Sequence, residues 1–186
     1  MHVLRAFVAL EVPGYVLDAL VDFQRGISGT GADVKLVERE NLHFTIKFLG
    51  EIPESDVKEA GLRLGGLSAA GAEIEVRGVG AFPKVVNPRV VWVGVSAKDE
   101  EKVSLIAQKV SGSLEGIGET DDRPFRAHLT IARVRSPRNS NLLSDFIRKE
   151  ADRSFGFVKL NSLKLKSSIL TPTGPIYEDI GVYPLV

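Results

Sequence analysis

Cysteine is absent from this 186-residue chain. Its absence excludes disulfides, thiolate metal sites and cysteine nucleophiles together, and it agrees with a reducing compartment. Histidine is scarce, with three in the whole sequence, so a zinc site built on imidazoles would need all of them, and His2 beside Met1 stands in no ligand motif. His2 is expected at the surface. No apolar run approaches the roughly 18 residues that span a bilayer. The opening MHVLRAFVALEVP has no uninterrupted apolar segment of signal-peptide type, because Arg5 breaks it. A cytoplasmic protein with no membrane association is expected.

Charge of one sign is also missing in excess. Lys and Arg number 24, Asp and Glu 24, so no global field draws a polyanion, and any contact with nucleic acid must be local. One locality offers itself: Arg123, Arg126, Arg133, Arg135 and Arg138 lie in a stretch without an acidic residue. A solvated arginine-rich loop is the plain alternative. The G-x-S-x-G, Walker A and G-x-G-x-x-G signatures do not occur, which removes the commonest hydrolase, nucleoside-triphosphate and dinucleotide motifs. GVGAF is a glycine-containing strand end.

What is present is a globular composition, 44% hydrophobic and 26% charged, in a chain long enough for one domain with a proper core. VLRAFVAL (3–10) reads as a strand. Pro13 then opens a helix carrying Val16, Leu17, Leu20, Phe23 and Ile27 at helical spacing. A strand is expected from about Asn41 to Leu49, a helix from Pro53 to the glycines Gly65 and Gly66, and two β-rich runs, EIEVRGVGAF and RVVWVGV, joined by a loop or irregular hairpin over PKVVNP. A helix from near Asp99 to Gly116, a strand in FRAHLTIARV, a helix from about Asn139 to Lys149 and a β-rich C-terminus follow. The short connections favour an antiparallel α+β fold over a parallel one, arranged as two similar lobes.

Two stretches carry the chemistry: HFTIKFLG from His43 and HLTIARV from His128, both beginning His-x-Thr-Ile. In a strand, side chains alternate, so His43, Thr45 and Lys47 share one face and Leu42, Phe44, Ile46 and Phe48 the other. Arg126, His128 and Thr130 likewise oppose Ala127, Leu129 and Ile131. Imidazoles with an unperturbed pKa near 6.5 suit proton transfer at neutral pH. Each neighbouring hydroxyl donates to a phosphate oxygen without competing negative charge. The pattern describes a phosphoryl group held between two lobes, with one imidazole activating water and the other protonating the departing oxygen, no metal or cofactor being required. The alternative is a pair of structural histidines on half-buried strand faces.

These motifs resemble those of the two-histidine (2H) phosphoesterases, and the chain is most similar to the RNA 2′,3′-cyclic phosphodiesterases, also called 2′-5′ RNA ligases. RAFVALEVP, NLHFTIKFLGEI, FRAHLTIARV and SSILTPTGPIYEDI match that family in order and spacing. The resemblance implies a single bilobal α+β domain, two antiparallel lobes with outer helices and both motifs in a central cleft. It implies metal-independent opening of an RNA 2′,3′-cyclic phosphate to a 2′-phosphate, tRNA halves being one candidate partner, and a reverse ligation. It assigns His43 as general acid toward the leaving 3′ oxygen, His128 as general base on water, and Thr45 and Thr130 as phosphate ligands.

Arg126 and Lys47, on the histidine faces, are further candidates for the phosphate or RNA backbone. Arg133 matches a family arginine, yet simple alternation sets it opposite His128, and only a bulge would bring it round. Tyr177 sits in the C-terminal signature GPIYE. Among aromatics able to stack on a base, Phe48 is assigned to the core beside Phe44, as are Phe7 and Trp92; Phe82 is left open. A monomer is expected. Two other functions stay open: a binding module for phosphate-terminated RNA without turnover, and a 2H phosphodiesterase acting on 2′,5′ or 3′,5′ linkages.

Overall fold

A computed structural model of the chain describes residues 3–120 and 123–186; His2 lies outside them. Among the described residues nine strands form one antiparallel sheet in the order β7-β4-β5-β6-β3-β1-β8-β9, with β2 added beside β6. The strands are β1 (Val3–Leu10), β2 (Val34–Leu36), β3 (Phe44–Pro53), β4 (Ala72–Lys84), β5 (Asn87–Val95), β6 (Leu129–Val134), β7 (Ser154–Leu160), β8 (Ser162–Thr171) and β9 (Gly174–Pro184). The two lobes are the halves of this sheet, β1-β3-β8-β9 and β4-β5-β6-β7. They meet at a single paired position, Phe44 opposite Leu129. Each of these residues follows a motif histidine, so the seam itself brings the motifs together.

Helix α1 (Gly14–Gly29) begins after Pro13, whose fixed φ suits a helix start. It buries Val16, Leu20, Phe23 and Ile27 at the spacing of one face. Helices α2 (Glu54–Gly65), α3 (Glu100–Ser113) and α4 (Ser140–Lys149) do likewise with Val57, Ala60 and Leu64, with Val103, Ile106 and Val110, and with Leu143 and Ile147. All four cover the same side of the sheet, where Ala6, Val8, Leu10, Phe44, Ile46, Leu129 and Ile131 complete one hydrophobic cluster through both halves. The opposite side is free for the site. Among the described residues no helix is long and apolar enough to cross a membrane.

One boundary differs from the sequence expectation. β3 starts at Phe44, because Arg39–Asn41 form a 3-10 turn, which leaves His43 immediately before the strand; His128 holds the same place before β6. The PKVVNP connection is an irregular hairpin, as one of the two expectations had it: β4 and β5 stay paired through Lys84 and Asn87, with a register shift between Phe82 and Pro83.

Candidate active site

A cavity of about 230 Å³ opens at the seam, and His43, Thr45, His128, Thr130, Arg133 and Tyr177 line it. Both motifs therefore face one space, contributed by facing strands. The imidazoles are held alike. His43 Nδ1 lies 2.8 Å from the carbonyl of Asn41 and His128 Nδ1 2.8 Å from the carbonyl of Arg126, two residues earlier in each case. A carbonyl can only accept, so each Nδ1 carries the proton and each Nε2 is the exchangeable atom. At His43 that Nε2 lies 3.0 Å from Thr45 Oγ1, whose hydroxyl donates to it.

Their surroundings differ. The His43 ring stacks on Phe7, centroids 5.0 Å apart, and meets the edge of Tyr177 at 5.4 Å. Burial pushes its pKa from 6.5 down to about 4; the nearby Lys166 ammonium acts in the same direction, while the Asn41 carbonyl and Glu11 oppose. His43 is neutral at neutral pH in the free protein. Burial also raises the Tyr177 phenol, against the pull of Arg133 and Arg5. His128 meets Phe82 edge-on at 5.1 Å.

Arg133 reaches the cavity through a bulge. Val91 pairs with Ala132 but Trp92 with Thr130, so Ile131 is an extra residue and the faces exchange beyond it. The Ile131 carbonyl, turned out of the β5 ladder, accepts from the Val37 N–H at 3.0 Å and from buried Gln24 of α1 at 2.8 Å. The first motif has the same device: Val8 pairs with Lys47 and Ala9 with Thr45, leaving Ile46 extra. The isoleucine common to both motifs is thus the bulge residue.

This bulge corrects two expectations, for Lys47 and Phe48, and a third, for Arg126, fails ahead of the strand. Lys47 leaves the histidine face, and its ammonium reaches the carbonyl of Glu119 at 3.4 Å. Phe48 is not in the core: it is half-exposed under the guanidinium of Arg5, 4.7 Å from the ring centre, and Leu49 occupies the core position at 0% exposure. Arg126 projects its side chain to solvent outside the cavity lining and serves by its carbonyl. Phe7 is buried, but on the cleft side beneath His43. Trp92 is half-exposed, its indole lying over Gly80, where a Cβ would come within 2.2 Å of the ring.

Sequence reasoning missed one wall. Lys35, Glu38, Asn41 and Pro175 also line the cavity. Lys35 pairs with Arg133 across β2 and β6, approaches Glu38 at 3.8 Å and donates to the Thr173 carbonyl in the β8–β9 turn; Asn41 Nδ2 donates to Pro175 O at 3.1 Å. β2 is three residues long and gave no periodic signal. Among the described residues no cluster of three or more His, Asp or Glu side chains has the geometry of a metal site.

Comparison with known proteins agrees with this architecture. The family model for LigT-like phosphoesterases matches residues 10–92 and again 93–177, each match containing one His-x-Thr-Ile motif. The chain belongs to that family. As a LigT-like phosphoesterase it is a phosphodiesterase. It is 39% identical over 180 residues to an RNA 2′,3′-cyclic phosphodiesterase of Archaeoglobus fulgidus, covering 97% of this chain and 99% of the relative. A Methanocaldococcus jannaschii protein of the same description is 38% identical, with 95% and 98% covered. Among solved structures, Escherichia coli LigT complexed with 3′-AMP shares the fold at a TM-score of 0.79 and 19% identity, covering 100% of this chain and 99% of that one. TT0787 of Thermus thermophilus superposes at 0.77 with 29% identity and 97% of each chain covered.

Proposed function

We propose that this LigT-like phosphoesterase hydrolyses 2′,3′-cyclic phosphate ends of RNA to 2′-phosphomonoesters by paired-imidazole catalysis without a metal. The mirrored pinning of His43 and His128 across one cavity carries the reading, and the descriptions of its archaeal relatives support the substrate. The hydroxyls of Thr45 and Thr130 and the guanidinium of Arg133 hold the phosphate oxygens. His128 Nε2 takes a proton from water as the water oxygen bonds to phosphorus; the bond from phosphorus to O3′ breaks, and His43 Nε2 delivers a proton to O3′. The product keeps its phosphate on O2′.

A general acid must be protonated, and His43 is neutral in the empty cleft, its pKa lowered to about 4. The bound phosphate supplies the missing stabilisation, because an anion beside an imidazole favours the imidazolium. Substrate binding thus brings the proton that the acid later donates. With a 5′-hydroxyl in place of water the same steps join the 2′,3′-cyclic end to a second RNA through a 2′,5′ linkage; tRNA halves and a cytoplasmic, monomeric enzyme complete the reading. His43→Ala and His128→Ala should each lower kcat on a 2′,3′-cyclic nucleotide by about 10²- to 10⁴-fold in excess chelator, with unfolding midpoints close to wild type. Full activity in either variant would overturn the assignment, and phosphate affinity without turnover in the wild type would make the cleft a binding module.

A further inference from the structure

Phe48 stands five residues after His43, as Arg133 stands five after His128, and the same bulge separates each from its motif threonine. Arg133 enters the cavity at the second motif. Phe48, its counterpart, also reaches the cleft side of the sheet: it pairs directly with Phe7, and cross-strand partners share a face. Phe7 is the ring on which His43 stacks. Arg5, two residues before Phe7 on β1, projects to that same face and lays its guanidinium over the Phe48 ring at 4.7 Å. Arg5 makes no ion pair among the described residues. A half-exposed aromatic ring capped by an uncommitted planar cation therefore adjoins the active-site cavity without lining it.

Such a pair has few structural reasons to sit on a cleft face. A phenylalanine there forfeits burial that Leu49 next to it obtains in full. Aromatic rings and arginine guanidinium planes are the surfaces on which unpaired nucleobases stack, and the arginine adds attraction for the phosphate backbone. Distance fixes which base. With the bulge residue Ile46 set aside, four strand steps separate Phe48 from His43, on the order of 13 Å along β3, and the Phe7 ring stands between them, which sets the platform one ring beyond the imidazole and suits it to the neighbour of the nucleoside that carries the reacting phosphate.

Resting on the proposed RNA cyclic-phosphate reaction, we infer that Phe48 and Arg5 form a stacking platform for the nucleotide preceding the cyclic end, so that the enzyme is built for oligonucleotides over mononucleotides. The platform acts on binding alone and touches no reacting atom. Phe48→Ala and Arg5→Gln would then leave kcat/KM for a 2′,3′-cyclic mononucleotide within about twofold of wild type while lowering it for a tetraribonucleotide with a 2′,3′-cyclic end. Loss of one base stack corresponds to a reduction of about 5- to 150-fold, carried mainly by KM. Phe48→Tyr, which keeps the ring, should restore most of the oligonucleotide activity.

Equal losses on both substrates would show that Phe48 merely supports Phe7 and His43. No loss on either would leave the patch without a role in RNA, and both results overturn the platform. Wild-type protein that turned over neither substrate would defeat the proposed reaction instead. In that case anisotropy of a fluorescent tetraribonucleotide with a terminal phosphate decides the platform, which requires Phe48→Ala to weaken its binding and stands refuted if binding is unchanged.

Discussion

Removing the imidazole at position 43 should make the fold less sensitive to acid. In the folded protein burial, helped by Lys166, holds the His43 pKa at about 4 against 6.5 in the unfolded chain. The folded state therefore favours the neutral ring. Above pH 6.5 both states are neutral and the fold keeps its full stability. As pH falls from 6.5 toward 4 the unfolded chain binds a proton that the folded protein refuses, so stability declines across that window. A pKa drop of this size corresponds to about 3 kcal/mol, lost at about 1.4 kcal/mol per pH unit. His43→Gln keeps a polar side chain near the Asn41 carbonyl and has no proton to take up. Urea denaturation of the two proteins between pH 7.5 and pH 4 should show wild type losing about 3 kcal/mol more than the variant. An NMR titration of the ring protons should place the His43 midpoint near 4, and excess inorganic phosphate should move it upward. Parallel stability curves for the two proteins, or a His43 midpoint at or above 6 without phosphate, would refute the burial argument.

Gln24→Met keeps side-chain volume in α1 but leaves the carbonyls of Val37 and Ile131, each accepting from Gln24 Nε2 at 2.8 Å, short of a donor; it should cost about 1–3 kcal/mol by urea denaturation. Because the Ile131 bulge turns Arg133 into the cavity, the same variant should raise KM for a cyclic nucleotide. Asp99 is buried and accepts from the Glu75 N–H, the Ser96 hydroxyl and the Lys102 ammonium, at 2.9, 2.7 and 2.6 Å. Burial alone would raise its pKa, but these donors, Lys102 foremost, hold it down to about 2. Its contribution is present above pH 3.8 and is lost as pH falls toward 2. Asp99→Ala should destabilise the protein by about 2–3 kcal/mol at pH 7 and flatten its acid unfolding curve.

The parts of the molecule that could be read from sequence are those governed by periodicity. The helices beginning after Pro13, Pro53 and Asp99, and the alternation that puts Phe44 and Leu129 in the core and the motif threonines opposite, rest on short-range patterning that tertiary structure keeps. The histidine pair was legible because two copies of one pattern are improbable in a chain with three histidines. What failed within the motif strands lay downstream of a bulge. Period-two reasoning assumes an unbroken ladder, and one extra residue at Ile46 moved Lys47 off the histidine face and brought Phe48 to it; Ile131 did the same for Arg133. The repeated isoleucine was visible, but nothing in one strand reveals that its partner is one residue short. The wall made by Lys35 and Glu38 was hidden for another reason, since β2 owes its place to pairing with β6, nearly a hundred residues away.

The measurement that tests the two-histidine account most directly is the fate of a short RNA ending in a 2′,3′-cyclic phosphate, incubated with the protein and excess chelator and followed by phosphorus NMR. Conversion to the 2′-phosphomonoester alone, lost in both His43→Ala and His128→Ala, is the result the account predicts. A 3′-phosphate product, a requirement for added metal, or turnover that survives either substitution would contradict it.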